Sequence, residues 1–278
     1  MLARALMAIG FSVLAAGVAF ATPPGPGQHF DCSDGGDTSC AADDTGCVSN
    51  TSAHYKCSIK ISKTLASAYK SGIACHNKQA TMRFKGASEN GAGQSEENCE
   101  EGPGNSAKAT FEGRLADLGA AGVCDPVQLA NAAAQGTALF GTGPESLDVR
   151  NVDFFCDSTS GVLIGDDDSG SVPNDEGALK CSVTVTKAIA KLRASVMKCH
   201  EKMNKSFLKG DDLDEEACEE SDPDRSALAK FNRVRDKLAL KGICPPCLDS
   251  AALDAMAAAV IAKLDTDNQL IYPCTLGP

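Results

Sequence analysis

DDTGCVSNTSAHYKCSIKISKTLASAYKSGIACHNKQATMRFKG, at Asp43–Gly86, and DDSGSVPNDEGALKCSVTVTKAIAKLRASVMKCHEKMNKSFLKG, at Asp167–Gly210, decide the fold. Overlaid without a gap, at an offset of 124, they agree at 16 of 44 positions. The shared residues include Lys56-Cys57-Ser58 with Lys180-Cys181-Ser182, Cys75-His76 with Cys199-His200, and Lys85-Gly86 with Lys209-Gly210. Extended backwards, the offset places Cys32 on Cys156. A duplicated stretch of this kind is a structural module, and any chemistry common to both copies must lie in the residues they share.

The second copy carries the clearer period. Val185, Ile189, Leu192, Val196, Cys199 and Met203 alternate steps of four and three, the seam of a packed helix. The spacing predicts one long helix from about Ser52 to Lys85 and another from about Glu176 to Lys209, stopped by Gly86 and Gly210. Working outward, a polar loop is expected over Gly86–Asn105 and an acidic one over Asp211–Asp224. Second helices follow at Ser106–Val123 and Arg225–Ile243, each ending in Gly-x-Cys, and third helices at about Pro126–Phe140 and Ser250–Leu264. Val149–Phe155 has the composition of a short strand. The fold class expected is mostly α: two tandem, disulfide-stapled three-helix units. Their bounds are a signal peptide at 1–21, a flexible Cys/Asp-rich leader at 22–50, unit one at 51–156, an acidic connection at 157–175 and unit two at 176–278.

Arg4, the apolar run Ala5–Phe20 and Ala19-Phe20-Ala21 form a signal peptide with its cleavage site, so the chain is expected to be periplasmic or secreted, with no membrane insertion after cleavage. All 14 cysteines follow that site, and in an oxidising compartment an even number reads as disulfides. Cys57 and Cys75 are 18 residues apart, about 27 Å along a helix, too far to bond to each other. Antiparallel helix pairs instead bring together Cys57–Cys124, Cys75–Cys99, Cys181–Cys244 and Cys199–Cys218. Cys40 and Cys47 have no counterparts in the second copy, which suggests Cys40–Cys47; elimination then leaves Cys32–Cys156 and Cys247–Cys274. A formal charge of −11, or −12 once Arg4 is removed, argues against nucleic-acid partners and leaves a protein partner as the open class.

Candidate chemistry is sparse. Cys75-His76 and Cys199-His200 each lack the first thiol of a haem attachment motif, since Gly72 and Val196 stand where it belongs; the histidines are expected half-exposed beside helix disulfides. Cys244-Pro-Pro-Cys247 before a helix has the spacing of a thiol redox pair, although no strand precedes it. The Asp-rich loops supply the metal candidates: Asp34 and Asp37 in DCSDGGDTSC, Asp43 and Asp44, and Asp166, Asp167 and Asp168. Clustered Asp with Gly suits a hard cation such as Ca²⁺, the one cofactor suggested. Glu215-Glu216 and Glu219-Glu220 read as a solvated acidic run. No nucleophile–base motif, zinc-protease motif or P-loop is present, so no enzyme activity is expected.

The pattern Lys180-Cys181, Lys198-Cys199-His200, Lys202, Lys209-Gly210 and Gly242-Ile243-Cys244 resembles Cys-rich repeats of secreted bacterial proteins that have no established activity. The first copy departs from it at Ala74. DCSDGGDTSC is similar to the calcium cage of low-density-lipoprotein-receptor class A modules without that module's remaining cysteines. Neither resemblance implies an activity or a set of site residues. The expected role is an exported structural or protein-interaction module, with cation binding and thiol redox chemistry as alternatives.

Overall fold

The computed structural model describes residues 24–30, 43–165, 167–211 and 213–274. The signal segment, Cys32, Cys40, Asp34, Asp37 and Asp166 lie outside them.

The chain is mostly helical. Two long helices, α1 (Ser52–Phe84) and α6 (Glu176–Phe207), pack on each other at the centre. Their contacts run in opposite senses. Lys63 reaches Glu201 at 3.8 Å, Arg193 stacks 4.4 Å over the Tyr69 ring, and the Thr186 hydroxyl donates to Asn77 at 3.0 Å. As numbers rise along α1 they fall along α6, so the helices are antiparallel. Thr51 and Asp175 cap them, each accepting a hydrogen bond from a first-turn N–H that would otherwise lack a partner. The buried seam of α6 is the expected one, Val185, Ile189, Leu192, Val196, Cys199 and Met203.

Around this pair lie α2 (Glu89–Glu100), α3 (Ala107–Ala120), α4 (Pro126–Phe140) and a single turn, α5 (Leu147–Arg150), on one side. A π-helical turn at Ala217–Ser221, α7 (Ala227–Lys241) and α8 (Ser250–Ile271) lie on the other. Against α1, α2 and α5, β1 (Leu163–Gly165) and β2 (Asp168–Ser171) form a small antiparallel ribbon.

Three local expectations are corrected. The polar loop Gly86–Asn105 contains α2, because Ser88 caps a helix whose inner face is built from Ala92, Gly93, Glu96 and Glu100 rather than from large apolar residues. Val149–Phe155 is helical, started by the Ser146 cap, and its aromatic end packs inward as Phe154 and Phe155. Where it is described, the leader is packed. Phe30 and Val48 are fully buried, with Phe30 against Phe207 and Tyr272.

Six disulfides join described residues. Cys57–Cys124, Cys75–Cys99, Cys181–Cys244 and Cys199–Cys218 staple each long helix to the elements that follow it, the four contacts that antiparallel packing requires. The other three expected pairs are replaced. Cys47 bonds to Cys274 rather than to Cys40, because the 43–49 segment lies across the end of α8, where Cys47 N–H donates to Tyr272 O at 2.9 Å. Cys247 is therefore not with Cys274. It bonds to Cys156, which rules out Cys32–Cys156. No helix among the described residues is long and apolar enough to cross a membrane.

Candidate metal centres

His76 and His200 are buried to 1% exposure, not half-exposed. Each lies in the second half of a long helix, on the turn that carries the stapled Cys75 or Cys199, and each faces four carboxylates.

Around His200, the Nε2 atom is 3.0 Å from Asp44 Oδ1, 3.0 Å from Glu219 Oε1, 3.4 Å from Asp265 Oδ1 and 4.0 Å from Glu215 Oε1. Glu215 and Glu219 sit one turn apart on the segment running into the π-helical turn, which the Cys199–Cys218 bond holds against α6. Asp265 projects from α8, and Asp44 comes from the leader. Around His76, the Nδ1 atom is 2.5 Å from Asp168 Oδ1, while Nε2 is 2.7 Å from Glu100 Oε2 and 3.7 Å from Asp148 Oδ1. Glu96 and Glu100 share the inner face of α2 at a spacing of one turn, Asp148 lies on α5, and Asp168 begins β2.

The two leader aspartates dock in the same way. The residue after each donates its hydroxyl to backbone carbonyls flanking the opposite aspartate. Thr45 Oγ1 reaches Asp265 O at 2.8 Å and Thr266 O at 2.6 Å, and Ser169 Oγ reaches Asp148 O and Val149 O at 2.7 Å each. The following glycines, Gly46 and Gly170, hold φ of +104° and +105°. A Cβ there would lie 2.8 Å from Tyr272 O or 2.9 Å from Phe155 O, so only glycine fits both the dihedral and the approach. The next N–H then donates to that same carbonyl, from Cys47 to Tyr272 O and from Ser171 to Phe155 O. The D-[T/S]-G pattern is thus a clamp that presents one carboxylate to a buried imidazole.

Burial raises six of the eight carboxyls, Asp44, Glu96, Asp148, Asp168, Glu215 and Asp265. Glu96 is pushed up to about 10 by desolvation, reinforced by Asp168 and Glu100 against the opposing pull of His76. Glu215 is pushed up to about 12 by desolvation and by its hydrogen bond and charge repulsion with Glu219. Asp148 and Asp265 rise to about 7, again chiefly through burial. Burial pushes both imidazoles towards the neutral form. For His76 the close contacts with Asp168 and Glu100, and for His200 the charge of Asp44 with close contacts to Asp265 and Asp44, outweigh it and raise both well above the usual histidine range. Without a cation, each site can only neutralise itself with protons.

Hydrogen bonding leaves much of this unsatisfied. His200 Nε2, Glu215 Oε1, Glu219 Oε1 and Asp265 Oδ1 are buried and make no well-aligned hydrogen bond; the same holds for His76 Nε2 and for both carboxylate oxygens of Glu96 and Glu100. They approach one another as ion pairs instead, His200 Nε2 with Glu219 and Asp265 and His76 Nε2 with Glu100. Triads such as Asp44–His200–Glu215 and His76–Glu100–Asp148 have donor atoms within 4.8 Å of one another, as an ion requires.

Of the residues singled out in the sequence, Asp44 and Asp168 enter these sites, one in each, whereas Asp43 and Asp167 point to solvent. The Asp-rich loops therefore do not close on a cation by themselves. Glu215 and Glu219 are buried ligand candidates, not part of a solvated run. Cys244 and Cys247 are in separate disulfides, to Cys181 and Cys156, so CPPC is not a dithiol pair. Glu96, Glu100, Asp148 and Asp265 were not anticipated. Their signals are the shared Glu-Glu-x-Cys-Glu at 96–100 and 215–219 and the shared Leu-Asp at 147–148 and 264–265.

Comparison of the chain with protein-family models, curated proteins and solved structures finds no match.

Proposed function

We propose that this is an exported two-unit repeat protein whose activity is to hold divalent cations in the two buried His/carboxylate sites, one per unit, and that these ions brace the units against each other. The observation that carries the reading is the convergence of one imidazole and four carboxylates at each site, enclosed, with several of the donor atoms lacking an aligned hydrogen bond. A dry cluster with four potential negative charges is costly to assemble, and a bound cation offsets that cost. Each site takes one aspartate from the leader of the other unit, Asp44 for His200 and Asp168 for His76, so binding an ion also closes the seam between units. The role is binding rather than catalysis, since the donors face each other and not an open cleft. The structural role expected from the disulfides is retained, with the ions as further staples.

Protein purified without chelator should carry up to two equivalents of divalent metal by elemental analysis, and chelator treatment should lower its melting temperature. Protein free of metal that shows no shift with millimolar manganese, zinc or calcium would sink the reading.

A further inference from the structure

We propose that the His200 site is built for a single six-coordinate first-row transition ion, in the size class of Mn(II), Fe(II) or Zn(II), and not for calcium. The inference rests on the cation reading above and adds the class of ion.

The argument is metric. Bonds of about 2.0–2.2 Å from an ion to nitrogen and oxygen put neighbouring donors of an octahedron about 3.0 Å apart and opposite donors about 4.2 Å apart. Calcium bonds of about 2.4 Å stretch those separations to about 3.4 and about 4.8 Å. From His200 Nε2, Asp44 and Glu219 lie at 3.0 Å, Asp265 at 3.4 Å and Glu215 at 4.0 Å. Asp44 and Glu219 therefore stand at the neighbouring spacing of the smaller octahedron, closer than calcium allows; Glu215 lies near its opposite spacing, and Asp265 fits either ion. The protein offers five donor groups there, one imidazole and four carboxylates.

Donor chemistry agrees. An imidazole nitrogen at the centre of the set suits Mn, Fe or Zn better than calcium, which takes oxygen ligands. No free thiol competes, because Cys199 and Cys218 on the same turn are bonded to each other. The surrounding shell orients the donors. The Asn268 amide donates to Asp44 Oδ1 at 3.3 Å, and Thr45 holds the carbonyl of Asp265. Such outer contacts fix ligand direction before the ion arrives.

Disulfide-intact protein, stripped with chelator, would be titrated with Mn²⁺ by electron paramagnetic resonance and with Ca²⁺ by calorimetry, at one pH. The expected result is one tight Mn²⁺ equivalent, bound about 100-fold more strongly than Ca²⁺. Glu219→Gln and Asp44→Asn should each weaken that equivalent by at least about tenfold, while Lys241→Gln, at the exposed end of α7, leaves it unchanged. Circular dichroism and disulfide mapping of each variant establish that it is folded. If a variant does not fold, competition of Ca²⁺ against bound Mn²⁺ in the parent protein decides the class. Calcium binding as tightly as manganese, or manganese retained in both folded variants, overturns the assignment and leaves cation binding standing. Absence of binding by either ion overturns both.

Discussion

The His76 and His200 sites share a ligand inventory and differ in how the chain assembles it. From His76 to Asp168, 92 residues apart, the first site is threaded by continuous chain: α2, α5 and β2 follow one another and each contributes. The second must bring Asp44, near the chain's start, to α8, near its end; Asn268 and the Asp44 it contacts are 224 residues apart. Chain length alone explains little, because closing a loop of 224 rather than 92 residues costs only about 0.8 kcal/mol more. What matters is that, among the described residues, no strand follows α8 to carry an aspartate to His200. The Cys47–Cys274 bond, with no counterpart beside His76 among the described residues, takes that place. The geometry differs too. Four carboxylates surround one nitrogen of His200, whereas those around His76 divide between Nδ1 and Nε2. Asp168 hydrogen-bonds Nδ1 and thereby orients the ring, leaving Nε2 with Glu100 and Asp148. The two clusters therefore differ in how many carboxylates face a single ring nitrogen.

The sharpest break of this comparison is the paired substitution Cys47→Ser with Cys274→Ser. Loss of so long a cross-link is expected to cost about 4 kcal/mol in denaturant unfolding. It should also weaken ion binding at the His200 site and leave the His76 site as it was. Equal weakening at both would show that the bond steadies the whole molecule and not one site.

Next in size is the cation itself. At a free concentration about 100 times its Kd, an ion stabilises by about 2.7 kcal/mol, or a rise of about 5–10 °C in melting temperature for a chain of this size. The gain should depend on pH. Asp148 and Asp265 have folded-state values raised to about 7 by burial. In ion-free protein, the stability linked to their protonated forms is present at low pH and is lost as pH rises through about 7. Ion-free protein should therefore weaken between about pH 5 and about pH 8, and the shift on adding Mn²⁺ should widen over the same interval, as measured by scanning calorimetry. A shift that shrinks with rising pH would contradict the assignment of these groups as ligands.

The smallest effect concerns what the sites share. Gly46→Ala and Gly170→Ala each place a side chain at a left-handed dihedral against a carbonyl, and each should cost about 1–3 kcal/mol in chemical denaturation. Similar losses at the two positions would mark the clamp as common ground beneath the differences. A negligible loss at either would remove that clamp from the account.

Local physics was legible in the sequence. The seam of α6, the glycine stops and the four helix staples follow from period and reach, because they depend on residues a few turns apart or on one antiparallel fold-back. The sites were only half legible. Asp44, Asp168, His76 and His200 all align at the offset of 124, but the Glu-Glu-x-Cys-Glu segments are offset by 119 and the Leu-Asp pairs by 117. A gap-free overlay loses both. The crosswise docking of the leaders was not legible at all, since Thr45 finds its carbonyls on α8 and Phe30 its pocket between Phe207 and Tyr272 through long-range packing that leaves no periodic trace. The same crossing misled the pairing of Cys47, which bonds far along the chain and not to its near neighbour Cys40.

The bond between Cys47 and Cys274 also changes the topology of the molecule. It turns nearly the whole described chain into a covalent ring, with the exposed residues Val162 and Leu163 on the opposite arc. A protease that nicks that arc releases nothing, because Cys47–Cys274 and Cys156–Cys247 still tie the two fragments together. Nor can unravelling begin by peeling strands or helices from an end, since neither end of the ring is free. Persistence against proteases would then be set by the rate of opening in the middle, and a backbone cut at 162–163 would be survivable damage.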